Sequence, residues 1–311
     1  MSELRIGISG WTYANWRGVF YPKGLVQRRE LEFASRQMNS VEINGTFYSL
    51  QRPASYRKWH DATPDDFVFS IKGSKYITHR KGLKDIRQPL ANFFASGLLA
   101  LGSKLGPILW QFPPWFRYDR DKVKTFLELL PQTSYQAAEL ALEHNLKQKH
   151  WTLLEPVAKT KLRYAFEVRH DSFMNEDFVK LLRKYNAAVC FADTAGKWPY
   201  AEDLTSDIVY IRLHGAELLY TSGYTEDQLQ HWADRIRQWS AGEQPQDARL
   251  LASNVYKPGK PRSVYVYFDN DIEVHAPFDA IRLAAILSGA EEFMEYPTSV
   301  EVRPSPATHW G

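Results

Sequence analysis

The sequence predicts an α/β chain folded as a single (β/α)₈ TIM barrel, and three observations support this fold class. Short runs of apolar, β-branched or aromatic residues recur along the chain with amphipathic helical patterns between them, which is typical of parallel strands joined by helices. Eight such runs can be drawn, and eight strands in this alternation close into a barrel. Because no low-complexity segment or Pro-, Gly- or Ser-rich linker interrupts the 311 residues, we expect one domain over 1–311.

The elements follow one another in regular order. The predicted strands are 5–9, 40–44, 66–72, 107–112, 163–169, 187–193, 207–214 and 263–269. The predicted helices are 27–38, 54–61, 88–103, 119–130, 176–185, 225–240 and 277–288. The stretch 131–162 is too long for a plain connection, and its pattern from Ala137 to His144 predicts an extra helix between strands 4 and 5. Residues 194–206 lack a helical pattern, so we expect an irregular loop there.

Composition excludes several classes of protein. Lys and Arg total 39 against 36 Asp and Glu, and a net charge of +3 is too small for a surface that binds nucleic acid through bulk charge. The single cysteine, Cys190, lies in an apolar run, which excludes an intrachain disulfide and predicts a buried thiol. No signal pattern opens the chain and no apolar run approaches the roughly 18 residues of a membrane span. We therefore expect a cytoplasmic protein without membrane contact.

Charged residues at the strand ends are predicted to face the barrel axis. Side chains alternate between the two faces of a strand, so the residues that share a face with Val or Ile pack against the helices and the others point inward. In 41–44 the inward pair is Glu42 and Asn44. The same reasoning selects Lys72, Glu167, Arg169, Tyr210, Arg212 and His214. Gln111, Asp193 and Asp269 end strands 4, 6 and 8, with directions that the alternation leaves open.

This cluster of four acids and three bases has two interpretations. A buried unpaired charge costs several kcal/mol, so such a cluster persists only if its members pair or remain hydrated in a cleft. In the first interpretation the charges are a ligand or catalytic site, since barrel enzymes place their chemistry at the C-terminal strand ends. In the second they are ion pairs that only plug the barrel mouth.

Motifs spread over nearly the whole chain resemble one family. They are 10–13 (GWTY), 16–18 (WRG), 20–22 (FYP), 41–44 (VEIN), 46–48 (TFY), Lys72, 77–79 (ITH), 111–114 (QFPP), 167–170 (EVRH), Asp193, 212–215 (RLHG) and 267–268 (YF). These stretches resemble the YecE-like family, a domain of unknown function. The resemblance implies a TIM barrel and no established reaction. The family tends to have two asparagines after the Phe of the last strand, whereas this chain has Asp269 and Asn270.

Acid–base catalysis on a sugar- or nucleotide-like substrate is the first candidate function. It needs two groups whose environments separate their pKa values. Glu42 and Glu167, on opposite sides of the predicted mouth, suit glycosidic hydrolysis, and the same carboxylates with Lys72 suit an isomerisation. The candidate catalytic residues are Glu42, Glu167, Lys72 and Asp193. The candidate ligand-binding residues are Trp11, Tyr13, Asn44, His79, Gln111, Arg169, His170, Arg212, His214, Asp269 and Asn270.

Metal-dependent phosphoester chemistry, as in endonuclease-IV-like barrels, is the second candidate. The available ligands are His79, His170, His214, Glu42, Glu167 and Asp193. No closely spaced His pair occurs among them, and the neighbouring cations Lys72, Arg169 and Arg212 would repel a dication. We therefore expect no metal and no other cofactor.

Binding of an anionic partner, either a small molecule or single-stranded nucleic acid, is the third candidate. The segment 72–88 carries six cations and one acid: Lys72, Lys75, Arg80, Lys81, Lys84, Arg87 and Asp85. Other loops supply the aromatic residues Trp11, Tyr13, Trp16, Trp115 and Tyr118. Cations for phosphates beside aromatic platforms for bases are typical of single-strand binders. A solvated basic face with core aromatics is the simpler alternative, and whether the protein is an enzyme stays open at this point.

Overall fold

The barrel closes through eight parallel strands. The structure is a computed structural model that describes residues 2–254 and 256–289. Each strand pairs with the next along the chain, and β8 pairs with β1. The strands are β1 Leu4–Ser9, β2 Ser40–Ile43, β3 Val68–Lys72, β4 Leu105–Gln111, β5 Tyr164–Glu167, β6 Ala188–Asp193, β7 Ile208–Leu213 and β8 Ser263–Phe268. The predicted (β/α)₈ barrel is confirmed. The single domain over 1–311 stays a prediction that includes residues 1, 255 and 290–311, which lie outside the described residues.

Helices cover the outside of the barrel. They are α1 Glu30–Ala34, α2 Gly45–Tyr48, α3 Pro53–Ala62, α4 Arg87–Ala95, α5 Arg120–Leu129, α6 Ser134–Ala141, α7 Glu176–Tyr185, α8 Glu226–Ala241 and α9 His275–Ser288. The extra helix between β4 and β5 is α6. It begins three residues earlier than predicted because the Thr133 side chain accepts a hydrogen bond from the backbone N–H of Gln136 and caps the helix there.

Two predicted helices are shorter than the sequence pattern indicated. The predicted helix 27–38 is a turn of 3₁₀ helix, Gln27–Arg29, followed by the five-residue α1. The predicted helix 88–103 ends at Ala95, and a 3₁₀ segment, Leu98–Lys104, follows it. Gly97 separates the two pieces with a φ of 111°, and a Cβ on Gly97 would lie 2.5 Å from the Cα of Pro53. The close approach of α3 therefore breaks a pattern that looks continuous in the sequence.

The connection between β6 and β7 is the place where the barrel repeat is incomplete. Residues 194–207 are fully described and contain no helix, as predicted. The outward face of β6 is covered lower down, where Phe191 packs against Trp239 of α8 with ring centroids 4.9 Å apart. Its upper end, at Asp193, has no crossover helix over it.

The barrel interior changes from apolar to charged along its axis. Its apolar layers combine small side chains with tyrosines, in a cluster formed by Val68, Leu109, Ala165, Ala188, Cys190, Ala192, Ile208, Tyr210, Tyr265 and Tyr267. The Tyr267 hydroxyl lies 2.7 Å from the Ser40 hydroxyl, and the Tyr210 hydroxyl lies 2.8 Å from the Ser70 hydroxyl. Above these hydrogen-bonded pairs, most strands have a polar residue at their last inward position, such as Glu42, Lys72, Glu167 and Arg212, whereas β6 has Ala192. The interior is thus a packed core that ends in a polar mouth.

Cys190 is buried in this interior as a free thiol, which confirms the prediction for that residue. Among the described residues, no helix has the length and apolar character needed to cross a membrane.

Candidate active site at the barrel mouth

Arg212 is the centre of the mouth. It follows the inward Tyr210 by two residues on β7, so its side chain also points to the barrel axis. One terminal nitrogen donates to Oε2 of Glu167 at 2.7 Å. The other donates to Oε1 of Glu42 and to Oδ2 of Asp269, each at 2.9 Å. One fully buried guanidinium therefore holds three carboxylates that come from three different strand ends.

Glu42 accepts three hydrogen bonds and is inaccessible to solvent. Its Oε1 accepts from the Ser9 hydroxyl as well as from Arg212, and its Oε2 accepts from the Tyr210 hydroxyl at 2.6 Å. The side chain is 0% exposed. Because both oxygens are engaged and the side chain is completely buried, Glu42 positions its partners and does not face a substrate.

Glu167 links the buried network to a cation nearer to solvent. Its Oε1 accepts from Arg169 at 2.7 Å, and its Oε2 accepts from Arg212. Burial would raise the pKa of Glu167, but the charges of Arg169 and Arg212 hold the pKa well below its ordinary range. The Arg169 guanidinium stacks on the indole ring of Trp198, with its Cζ 3.6 Å from the ring centroid. Arg169 is therefore fixed at the rim of the mouth from two sides.

Lys72 is the cation of the mouth without an acidic partner. Among the described residues, no carboxylate oxygen lies within 4 Å of its Nζ; the ammonium instead lies 4.6 Å from the ring centroid of Phe47. Burial, and then the charge of Arg212, lower the pKa of Lys72 to about 8. At neutral pH this side chain is thus a charged but readily deprotonated donor.

Two histidines of the mouth are neutral at neutral pH. Burial, and then the charges of Arg169 and Lys72, lower the pKa of His79 to about 4. Burial and Arg212 also lower the pKa of His214, whose Nδ1 lies 3.0 Å from Oδ2 of Asp269. Neutral imidazoles can accept or donate a hydrogen bond at the mouth without adding charge.

Asp269 and Asp271 form a pair of carboxyl groups with separated pKa values. Burial disfavours the charged form of Asp269, but Arg212 and His214 hold its pKa below the ordinary value. Burial, and then the charge of Asp269, raise the pKa of Asp271 to about 7. The Tyr13 hydroxyl is close to Asp271 and donates to the backbone carbonyl of Ser9 at 2.5 Å. Below a pH of about 7, such a pair holds one ionised and one protonated carboxyl.

Several buried polar atoms around the mouth have no hydrogen-bond partner within the described part of the chain. They include Oδ1 of Asn44, Oε1 of Gln111, Oδ1 of Asn270 and Nε of Arg212. Asn44 uses its Nδ2 to bond the Ser9 carbonyl at 3.1 Å, and Gln111 pairs in register with Glu167. Because buried polar atoms are rarely left unsatisfied, Asn44 and Gln111 are acceptors available to a ligand.

Some predicted site residues lie elsewhere. Asp193 points outward from β6, away from the Arg212 network, because the inward positions of that strand are Ala188, Cys190 and Ala192. His170 accepts a hydrogen bond from the backbone N–H of Ser172 at 3.0 Å and caps a 3₁₀ turn.

Asn270 and Trp11 make structural contacts within the protein. Asn270 donates to Asp279 of α9 at 2.9 Å and so ties the end of β8 to that helix. Trp11 packs edge-on against Trp59, with ring centroids 5.4 Å apart, and is half-buried at the rim.

The predicted aromatic platforms divide into core and surface. Trp16 is completely buried and donates its indole N–H to the Asp271 carbonyl at 3.1 Å, so it is a core residue and offers no face for stacking. Trp115 is 59% exposed. It lies in a groove of about 670 Å³ between the segments that follow β3 and β4, together with Arg80, Lys81, Lys84 and Arg117.

The described part of the mouth offers no set of metal ligands. Within residues 2–254 and 256–289, no three His, Cys, Asp or Glu side chains converge in an arrangement that could hold a metal ion. Arg212 lies among the carboxylates that the metal-dependent interpretation would use.

Sequence reasoning missed three residues of this site. Ser9 alternates with Ile6 and Ile8 on β1, so its inward direction could have been predicted from the sequence. Asp271 follows Asp269 by two residues, but its role depends on the burial of the turn after β8. Trp198 lies in the irregular loop after β6, where no periodicity indicates a direction.

The fold and the mouth define a class of protein, the (β/α)₈ barrels with a candidate ligand site at the C-terminal strand ends. Within that class, the chain belongs to the family described as Protein of unknown function DUF72, whose sequence profile matches residues 5–304. The resemblance to the YecE-like family is thereby confirmed.

Curated relatives match part of the chain. The UPF0759 protein YunF of Bacillus subtilis is 29% identical over 125 residues, which are 39% of this chain and 43% of that protein. The UPF0759 protein YecE of Escherichia coli K12 is 30% identical over 113 residues, 36% of this chain and 39% of that protein. The matched regions therefore span less than half the length of these relatives.

Solved structures match nearly the whole chain. A DUF72 family protein of Thermotoga maritima has a TM-score of 0.67 at 23% identity, covering 92% of this chain and 99% of that one. A DUF72 family protein of Enterococcus faecalis has a TM-score of 0.64 at 13% identity, covering 96% and 100%. At these identities the similarity supports the barrel fold alone.

Proposed function

We propose that this protein is an enzyme that binds a small anionic, sugar- or nucleotide-like substrate at the barrel mouth and moves a proton on it. The observation that carries the proposal is the ammonium of Lys72, which is nearly buried and has no acidic partner among the described residues. A buried charge without a partner is costly. An anionic group of the substrate would supply that partner.

Proton transfer requires groups that titrate near the working pH. Lys72, with a pKa of about 8, and Asp271, with a pKa of about 7, meet this requirement. Glu42 and Glu167 are bridged by Arg212, which leaves no space for a sugar between them and engages an oxygen of each carboxylate. The contacts of the two glutamates therefore speak against hydrolysis by that pair, and the pKa values of Lys72 and Asp271 support proton transfer by these residues in an isomerisation.

Anion binding by Lys72 can be measured with sulfate, whose charge is constant between pH 6 and 10. We expect Lys72→Met to weaken sulfate binding about tenfold or more in calorimetry, because a charge-assisted contact is worth about 1.5–3 kcal/mol. In the wild type, affinity should fall as the pH rises through about 8, since the ammonium then loses its proton. The matched control is Lys180→Met, the same change on the exposed face of α7.

Catalysis is tested separately by incubating sugar phosphates and nucleoside monophosphates with the protein in D₂O and following proton exchange by NMR. Exchange or isomerisation that is lost in Lys72→Met supports the proposal. Sulfate affinity that is equal in wild type and Lys72→Met would overturn the mouth as an anion site. Binding without any exchange or conversion would overturn the enzymatic part.

Binding of single-stranded nucleic acid is a second candidate, and the groove of Trp115 favours it. Four cations that line the groove, Arg80, Lys81, Lys84 and Arg117, have no carboxylate within 4 Å in the described part of the chain. An exposed indole beside unpaired cations suits a stacked base and its phosphates. Arg87, by contrast, is paired with Glu143, with its Nε 2.7 Å from Oε2, and does not belong to the groove.

An oligonucleotide titration at two salt concentrations tests this candidate. The affinity should fall with salt at a slope of about −0.7 per phosphate contact, and stacking should quench tryptophan fluorescence. We expect the double variant Lys81→Glu, Lys84→Glu to abolish binding and Trp115→Ala to remove the quenching. The control is Lys180→Glu, Lys184→Glu, an equal charge reversal on α7. Binding that is indifferent to the groove variant would mean that the segment is only a solvated basic face.

A further inference from the structure

A second cavity lies outside the barrel, where the crossover helix between β6 and β7 is missing. Its volume is about 840 Å³. The loop after β6 and one face of α8 form its walls, with Trp198, Tyr200, Tyr224 and Trp232 among the lining residues. In a regular barrel a helix would fill this space and cover the strand end with apolar side chains. Here the strand end presents the carboxyl group of Asp193.

Asp193 is a partly buried carboxylate without a cationic partner. Its Oδ2 accepts from the Tyr224 hydroxyl at 3.0 Å, and its Oδ1 is 3.4 Å from the backbone nitrogen of Ala195. Within the described residues, no Lys, Arg or His nitrogen lies within 4 Å of it. Burial raises the pKa of Asp193. Burying this carboxyl group costs free energy. In the mouth, Arg212 offsets that cost for Glu42, Glu167 and Asp269, but Asp193 has no such cation.

The other charges of the cavity do not compensate Asp193. Deep in the wall, Arg235 donates twice to Glu202, at 2.9 and 2.6 Å, and once to Oδ1 of Asp247, at 2.7 Å. The two carboxylates that pair with Arg235 exceed its single charge, and the remaining rim charges are Asp227 and Arg249. The lining as a whole has four carboxylates against two guanidiniums, so the cavity is negative.

We propose that this cavity binds a small organic cation, an amine or quaternary ammonium compound, with Asp193 as its counter-ion and the surrounding aromatic rings as its walls. Carboxylate and aromatic faces are the two groups that attract a desolvated ammonium. A cavity of this volume is in the range of small-molecule sites. The site is distinct from the mouth. Trp198 lies between the two sites: its side chain lines the cavity, and the Arg169 guanidinium of the mouth stacks on its ring.

The test is calorimetry with putrescine and choline as cationic probes and glucose as a neutral one. We expect the wild type to bind the cations and not glucose, and Asp193→Asn to weaken cation binding about tenfold or more, as expected for a lost charge-assisted contact. The matched control is Asp227→Asn, the same change at the solvent-screened rim, which should alter the affinity much less. Lys72→Met, which belongs to the mouth, should bind the cations as the wild type does.

A second variant keeps the test independent of the charge of Asp193. Ala216→Leu introduces three carbon atoms into the cavity lining and should block the cations while leaving sulfate binding at the mouth unchanged. Thermal melting of each variant establishes that it is folded. The proposal would be overturned if the Asp193→Asn variant and the Ala216→Leu variant each bound the cations as tightly as the wild type. It would also be overturned if the wild type bound glucose more tightly than either cation.

Discussion

At the scale of single residues, the charged side chains of the mouth fall into two groups, those paired with one another and those available to a ligand. Arg212, Glu42, Glu167 and Asp269 satisfy one another in a buried network. The two interpretations of the charged cluster therefore apply to different residues. The inner charges are ion pairs that close the barrel top, whereas Lys72 lies at the edge of that network with its ammonium available.

The network makes Glu42 a residue on which stability depends. Replacing it by glutamine leaves Arg212 with less compensating charge and disturbs the bonds from Ser9 and Tyr210. We expect Glu42→Gln to destabilise the fold by about 3 kcal/mol, the typical cost of breaking a buried pair from one side. The measurement is the urea midpoint.

The control for this prediction is Glu32→Gln, which removes an exposed carboxylate that pairs with Arg29 on the surface. Its midpoint should hardly change, since exposed pairs contribute little. If Glu42→Gln were as stable as this control, the network would not be holding the barrel mouth together.

At the scale of elements, close packing decides where helices end. The break between α4 and the 3₁₀ segment after it lies at Gly97, where α3 approaches most closely. The loop after β6, in contrast, replaces a helix and leaves a cavity. Both departures from the regular barrel repeat arise between elements, and the second one creates a candidate binding site.

The effect of close packing at Gly97 on stability can be distinguished from the effect of its positive φ by comparison with Gly24. Gly24 has a similar positive φ of 86° but no atom within 4 Å of an added Cβ, whereas Gly97 has the Pro53 backbone at 2.5 Å. We expect Gly24→Ala to cost about 1 kcal/mol for the left-handed conformation. Gly97→Ala should cost about 1–3 kcal/mol more, because the backbone of α3 must shift.

Thermal melting of the two variants measures this difference, with Gly97→Ala melting several degrees below Gly24→Ala. Equal melting temperatures would mean that α3 moves away at no cost and that its packing does not fix the end of α4.

At the scale of the whole molecule, three candidate sites share the C-terminal end of one barrel. The mouth is on the axis, the Trp115 groove lies between the segments after β3 and β4, and the negative cavity lies beside β6 and β7. The groove is basic and the cavity acidic, although the net charge of the chain is only +3. A nearly neutral composition is thus compatible with a basic groove and an acidic cavity at different places on the rim.

The sequence by itself determined the barrel, the order of its strands and the inward direction of Glu42, Lys72, Glu167 and Arg212. These directions follow from local alternation, because successive residues of a strand point to opposite faces. An apolar residue does not by itself mark the outward face, since Val68 and Ile208 lie inside the barrel on the same strand faces as Lys72 and Arg212. Periodicity inside one strand is a short-range property, so it can be read without the fold.

Only the tertiary structure decided what those residues do. Whether the Glu42 carboxylate is available to a ligand depends on the hydrogen bonds that it accepts from Ser9, Tyr210 and Arg212. These residues are remote in sequence and meet only when the barrel closes. The same holds for the outward direction of Asp193, the burial of Trp16 and the raised pKa of Asp271. Desolvation and pairing are properties of the space around a group, and that space is formed by elements that local sequence patterns do not bring together.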